Sequence, residues 1–131
     1  MPFQITWFTK KQIPAFFWPY QIQAFTEKQI SSFTEEQIQA LTQEQIQALT
    51  SLQIQALTSL QIQALTQEQI KNFWLWQIKS FTQEQIQAFE WWQIKALTQK
   101  QIQALTQEQI TWFTSEQIKN SPQLLLRKEE I

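Results

Sequence analysis

Thr42-Gln43-Glu44-Gln45-Ile46-Gln47-Ala48-Leu49 is one copy of a unit that fills most of the chain. Its first four residues have the form of a capping box, in which a threonine caps a helix and the residue three later reaches back to the threonine's own N–H. Thr42 is the N-cap and Gln45 its partner. Glu44 then lies in the first turn, where the backbone dipole favours negative charge, and Lys71, Lys79, Lys95 and Lys119 take last-turn positions of their own units. Gln, Glu, Ala and Leu are good helix formers and Thr is not, so each unit is expected to be helical and to break at its threonine.

Outward from this copy, the dipeptide Gln-Ile recurs 15 times, from Ile5 to Ile118. Every step is eight residues except the nine from Ile13 to Ile22, where Phe17-Trp18-Pro19-Tyr20 holds the extra residue. One long helix does not suit this period, because eight residues at about 100° each overshoot two turns by roughly 80° and the apolar stripe would circle the helix. A break at each threonine resets the phase. Helices of about seven residues do not persist alone and must stack on their neighbours. The predicted fold is therefore all-α, a solenoid or superhelix of very short helices built from an eight-residue repeat. Ile at the fifth position and Leu or Phe at the eighth form its core, with the small seventh residue allowing close approach. The alternative is a β-solenoid with two octads per coil, which the β-branched Ile and Thr would suit. Against it stand the absence of Gly, Asp and Val and the density of Ala, Gln and Glu.

Leu41-Thr42-Gln43-Glu44-Gln45 and its copies resemble the Leu-Thr-x-Glu-Gln opening of the repeat in TAL-type DNA-binding effectors, where that string begins a helix. The likeness covers five residues per unit. That family's longer repeat and base-reading loop have no counterpart here, so the resemblance implies a helix start and not DNA binding. As a whole the chain is similar to bacterial tandem octapeptide arrays of the Leu-Thr-x-Glu-Gln-Ile-x-Ala kind.

Composition narrows the function classes. With 43% apolar and 14% aromatic residues in 131, the chain has enough apolar material for one domain with a core. It contains no Cys and no His, which removes the usual metal ligands, disulfides and Cys/His nucleophile pairs. Repeated glutamates are explained by helix dipoles, and no Ser-Lys or paired-Glu arrangement interrupts the repeat, so no catalytic residue, cofactor site or metal site is expected. A net charge of -1 with dispersed lysines offers no basic stripe, and nucleic acid is not an expected partner. No run of about 18 apolar residues marks a transmembrane helix. Met1 to Tyr20 does not read as a signal peptide, and a cytoplasmic location is the default expectation.

The informative residues are those that break the repeat. Positions one to three, normally Thr-Gln-Glu, should face solvent, yet they turn apolar at Leu52, Leu60, Trp74-Leu75-Trp76 and Trp91-Trp92. Large exposed apolar side chains mark a partner or membrane surface, and these residues are the partner-binding candidates. Trp18 and Tyr20 join them. The alternative is that the tryptophans cover a gap in a thin core or dock a terminus. Leu60, Trp76 and Trp92 recur at 16 residues, so alternate octads would share a face if two made one turn. A two-unit duplication gives the same spacing with no structural meaning.

Three segments follow. Residues 1–25 form an irregular aromatic-rich N-terminal cap, with Trp7-Phe8 and Phe16-Phe17-Trp18-Pro19-Tyr20 around the irregular step and Thr111-Trp112-Phe113 as a mirror near the other end. Residues 26–121 are the regular array. Residues 122–131 are a C-terminal tail, in which Leu124, Leu125 and Leu126 cap the last unit or enter a neighbouring subunit and Arg127-Lys128-Glu129-Glu130 is a solvated end. The expected function is a scaffold that engages a protein partner or larger complex through a Trp-rich ridge. Membrane-surface attachment comes second, disfavoured by the lack of neighbouring Lys or Arg, and end-to-end self-association is a further expectation.

Overall fold

A computed structural model describes residues 18–119 and 121–130. Its elements are a 3₁₀ helix, Pro19–Ala24, and thirteen α-helices. In chain order these are α1 Glu27–Ser31, α2 Glu35–Gln39, α3 Gln43–Ala48, α4 Ser51–Gln55, α5 Ser59–Ala64, α6 Gln67–Asn72 and α7 Leu75–Ile78. They continue as α8 Gln83–Ala88, α9 Trp91–Ile94, α10 Gln99–Ala104, α11 Gln107–Trp112, α12 Ser115–Ile118 and α13 Pro122–Glu129. No strand occurs among the described residues, so the β-solenoid alternative falls and the all-α solenoid of short helices stands. Trp7, Phe8, Phe16 and Phe17 lie outside the described residues.

Each break falls where the capping box places it. Thr42 has extended backbone, its Oγ1 accepts the Gln45 N–H at 3.2 Å, and the Gln45 Oε1 accepts the Thr42 N–H at 2.9 Å. The same pair of bonds is made at Thr34, Thr50, Thr58, Thr82 and Thr98. Two extended residues, such as Leu49 (φ -62°, ψ 131°) and Thr50 (φ -77°, ψ 166°), turn the chain from one helix into the next. No described residue has positive φ, so the corners need no glycine.

Three octads make one coil. Pro19–Ala24, α3, α6, α9 and α12 stack as one side of a three-sided prism. α2, α5, α8 and α11 form another. The remaining side consists of α1, α4, α7 and α10, where α1 packs on α4, α7 packs on α10, and the Ser80 and Ser51 hydroxyls meet at 2.9 Å between the two pairs. These are called below the first, third and second sides, in the order the chain visits them from Trp18. Two octads per turn would have paired alternate units, whereas the contacts pair every third.

The fourth-position glutamine explains how coils hold together. While its Oε1 caps its own helix, its Nε2 donates to two carbonyls of the coil beneath, those of the fifth and eighth residues four octads earlier. Gln85, for example, reaches Ile54 at 2.6 Å and Leu57 at 2.9 Å. Nine glutamines, from Gln53 to Gln117, repeat this staple. A helix end leaves carbonyls without partners, and each staple supplies them from the next coil. The amides are buried and satisfied on both ends, as burial of a polar group requires.

Inside the prism, every described fifth-position isoleucine from Ile22 to Ile118 is buried, and the eighth-position Leu and Phe side chains fill the corners. Phe73, Phe81 and Phe89 pack edge to face, with neighbouring centroids 5.4 Å apart. The C-terminal tail corrects a further expectation. Ser121 caps α13, Leu124 is fully buried and Leu125 and Leu126 are exposed. Arg127 and Lys128 are not a solvated end. The Arg127 Nη1 donates to the Ile102 and Leu105 carbonyls at 2.8 Å each, and the Lys128 ammonium donates to the Phe113 carbonyl. Cations thus do at the last coil what glutamine amides do below it.

Candidate docking surface

The three-octad coil decides which of the repeat-breaking residues meet. Position three of the second side reads, coil by coil, Lys28, Leu52, Trp76, Lys100. Trp74 and Leu75 belong to the same octad as Trp76, so four large apolar residues from two adjacent coils share this side. They are well exposed: Leu52 63%, Trp74 52%, Leu75 44% and Trp76 49%. The other candidates lie elsewhere. Trp91 and the half-buried Trp92 are on the first side, together with the exposed Trp18 and Tyr20 three coils below. Leu60, exposed at 65%, stands on the third side among glutamates. The 16-residue series Leu60, Trp76, Trp92 therefore visits all three sides, and the expected single ridge is split across a prism edge.

Local chemistry at the altered octads is consistent with their surface position. Trp74 offers no cap oxygen, so the Gln77 N–H turns to the Trp74 carbonyl at 3.0 Å. Glu90 behaves alike: its side chain makes no cap bond, and the Gln93 N–H donates to the Glu90 carbonyl at 2.9 Å. Yet Gln77 and Gln93 keep both staple bonds to the coil below. The core is undisturbed beneath the tryptophans. Replacing Thr with Trp costs a cap worth about 1 kcal/mol and leaves half of a large aromatic surface in water. On the first side, the Lys95 ammonium lies 5.7 Å from the centre of the Trp91 ring, within cation–π range.

Charge is divided among the sides. The second side carries Lys28, Lys79 and Lys100 against Glu27 alone. Among the described residues, the third carries Glu35, Glu36, Glu84 and Glu108 and no cation. The first is mixed, and the Lys119 Nζ pairs with the Glu116 Oε1 at 2.8 Å. Because Lys79 follows Leu75 by four residues, it lies one helical turn from it on the same surface. Sequence reasoning placed no lysine beside the tryptophans: Lys79 and Lys95, each in the same octad as its tryptophans, were legible at a four-residue spacing, whereas Lys28 and Lys100 join the same side only through the 24-residue coil. Among the described residues, no group of three or more His, Cys, Asp or Glu could hold a metal ion. No described helix is long and apolar enough to cross a membrane. Comparison with protein-family models, curated proteins and solved structures finds no match for this chain.

Proposed function

We propose that the chain is a non-enzymatic scaffold, a rigid three-sided rod whose second side holds a protein partner through Leu52, Trp74, Leu75 and Trp76. The observation that carries this reading is the exposure of four large apolar side chains in adjacent coils of one side, at positions where most octads carry Thr, Gln, Ser or a charged residue. Aromatic anchors of this kind dominate binding energies at protein interfaces. Restoring the array's consensus tests it: Leu52→Glu, Trp74→Thr, Leu75→Gln and Trp76→Glu in one variant. Helicity and the denaturation midpoint should hold or rise, since one cap worth about 1 kcal/mol returns. Association with whatever co-purifies with the wild-type chain from its native source should weaken by more than about tenfold. Loss of the fold, with binding per folded molecule unchanged, would show these side chains to be core.

Lys28, Lys79 and Lys100 give the membrane-surface reading a support that it lacked in the linear sequence, because tryptophan flanked by cations is the pattern of interfacial attachment. Flotation with anionic vesicles separates the two readings. Binding to vesicles that the four-residue variant loses would favour lipid over protein.

A further inference from the structure

We propose that the partner of the second side is the third side of another copy of this chain, so that the rods associate laterally. This rests on the scaffold reading above and names its occupant. Within one molecule, the two sides are complementary at three of the four coils. The third-position column of the second side is Lys28, Leu52, Trp76, Lys100, and that of the third side is Glu36, Leu60, Glu84, Glu108. Both columns climb one coil per residue, so their rises match by construction. Laid side by side in parallel, Lys28 meets Glu36, Leu52 meets Leu60, and Lys100 meets Glu108. Glu84 meets the octad of Trp76, which also carries Lys79.

One apolar pair, Leu52 with Leu60, is matched between the charges, and the Trp74-Leu75-Trp76 octad lies against Thr82, Gln83 and Glu84. Among the described residues, Leu60 is the only large apolar residue in the first three positions of the third-side octads, and it is as exposed as Leu52. Each leucine stands at the coil where its side meets the other's. The two columns present lysine at both ends of one and glutamate at both ends of the other, with leucine facing leucine between them. Such an arrangement fixes register and excludes like-on-like pairing, since second side on second side would set lysine against lysine. A lipid surface would satisfy the lysines and tryptophans but gives no role to the leucine and glutamate column on the neighbouring side. Because the joined surfaces differ, the contact is heterologous, and each rod can receive one neighbour and offer itself to another.

The test is sedimentation equilibrium on the chain from about 10 µM to about 1 mM, the range of weak specific contacts. Concentration-dependent association is expected, falling as salt rises from about 0.05 M to about 0.5 M because exposed pairs are screened. Two charge-reversed variants refine it: Glu36→Lys with Glu84→Lys and Glu108→Lys, and Lys28→Glu with Lys79→Glu and Lys100→Glu. Lysine already occupies the third position at Lys28 and Lys100 and glutamate at Glu44, and Lys79 is an exposed sixth-position residue, so both should fold, which circular dichroism checks. Each alone should lose self-association by at least about tenfold, and an equimolar mixture should regain it, because each supplies the side the other needs. A wild-type chain that stays monomeric throughout overturns the proposal, as does a mixture that fails to associate. A monomer that floats with anionic vesicles would assign the second side to lipid instead. A monomer that still loses a separate protein partner on restoration of the consensus leaves the scaffold reading standing and removes only the pairing of copies.

Discussion

Replacement of Gln85 by Leu tests whether the glutamine staple holds the coils together. Leucine keeps nearly the same volume, so the change removes hydrogen bonds without opening a large cavity. Three bonds disappear: Oε1 from the Thr82 N–H at 3.0 Å, and Nε2 to the Ile54 and Leu57 carbonyls at 2.6 and 2.9 Å. The Ile54 carbonyl keeps the Leu57 N–H at 3.1 Å, so it is not stranded. The Thr82 N–H and the Leu57 carbonyl lose their staple partner. At about 1 to 3 kcal/mol for each buried group left unsatisfied, the loss should be about 2 to 5 kcal/mol, with water entry at the corner setting the lower end. Urea denaturation followed by circular dichroism measures it, with Gln83→Leu, an exposed second-position change in the same octad, as the reference. A surface change of that kind should stay within about 0.5 kcal/mol.

Gln85→Glu adds a pH axis. Ionised, its carboxylate would accept the Thr82 N–H with one oxygen and press the other against two carbonyl oxygens. Protonated, it regains a donor. Its folded pKa should therefore be raised above the ordinary value of about 4.3. A raised carboxyl pKa means that stability is retained below the unfolded value and lost as pH rises through the folded one. The deficit relative to wild type should grow between about pH 4 and about pH 7. If Gln85→Leu costs no more than Gln83→Leu, or the Glu variant shows no pH-dependent deficit, the staple is not what binds the coils.

Two further outcomes follow from the same architecture. Ile62→Ala, at a fully buried core position, should cost about 2 to 5 kcal/mol in the same denaturation assay, and a small loss would place the core elsewhere. Arg127→Ala should loosen the last coil selectively, raising amide exchange in α10 to α13 well above that near α4, while Arg127→Lys, which keeps one donor but not the planar fork, should fall between. Equal exchange in all octads would mean that the tail does not close the end.

The local half of this fold was legible in the octad. Thr42 and Gln45 announce the helix start, and Ile46 and Leu49 the core, because both depend on contacts within one unit. The number of octads per coil was not legible, since a period of eight specifies the unit and leaves open where the next stacks. A signal was nevertheless present. A capping box accepts Glu as readily as Gln, and the helix dipole would favour Glu, yet all 15 units carry Gln before Ile. Only an amide also donates, so a donor was being used by something outside the unit. For the docking surface, the exposure of Trp74 and Trp76 could be anticipated from the polar positions they occupy. Of the lysines on that side, Lys79 was legible from its spacing within the octad, and Lys28 and Lys100 were not, because the 24-residue coil sets them on the same side. Arg127 and Lys128 misled for a related reason: charged residues near a chain end read as solvated unless the orphan carbonyls of the final coil are known to lie beside them.

The glycine-free corners bear on how an array of this kind changes length. Since no corner among the described residues needs a positive φ, a unit can be gained or lost anywhere without a special hinge. The fold tolerates such events one octad at a time; the surface does not. One extra octad between Leu52 and Trp74 would carry everything beyond the joint a third of a turn around the axis, parting Leu52 from Trp76 and setting tryptophan on the side of Glu35 and Glu36, while Glu84 and Glu108 move on to the next. Only insertions or deletions of three octads restore the face. Growth by threes is thus the inheritance rule for a surface written across coils, even though the heritable piece is a single octad.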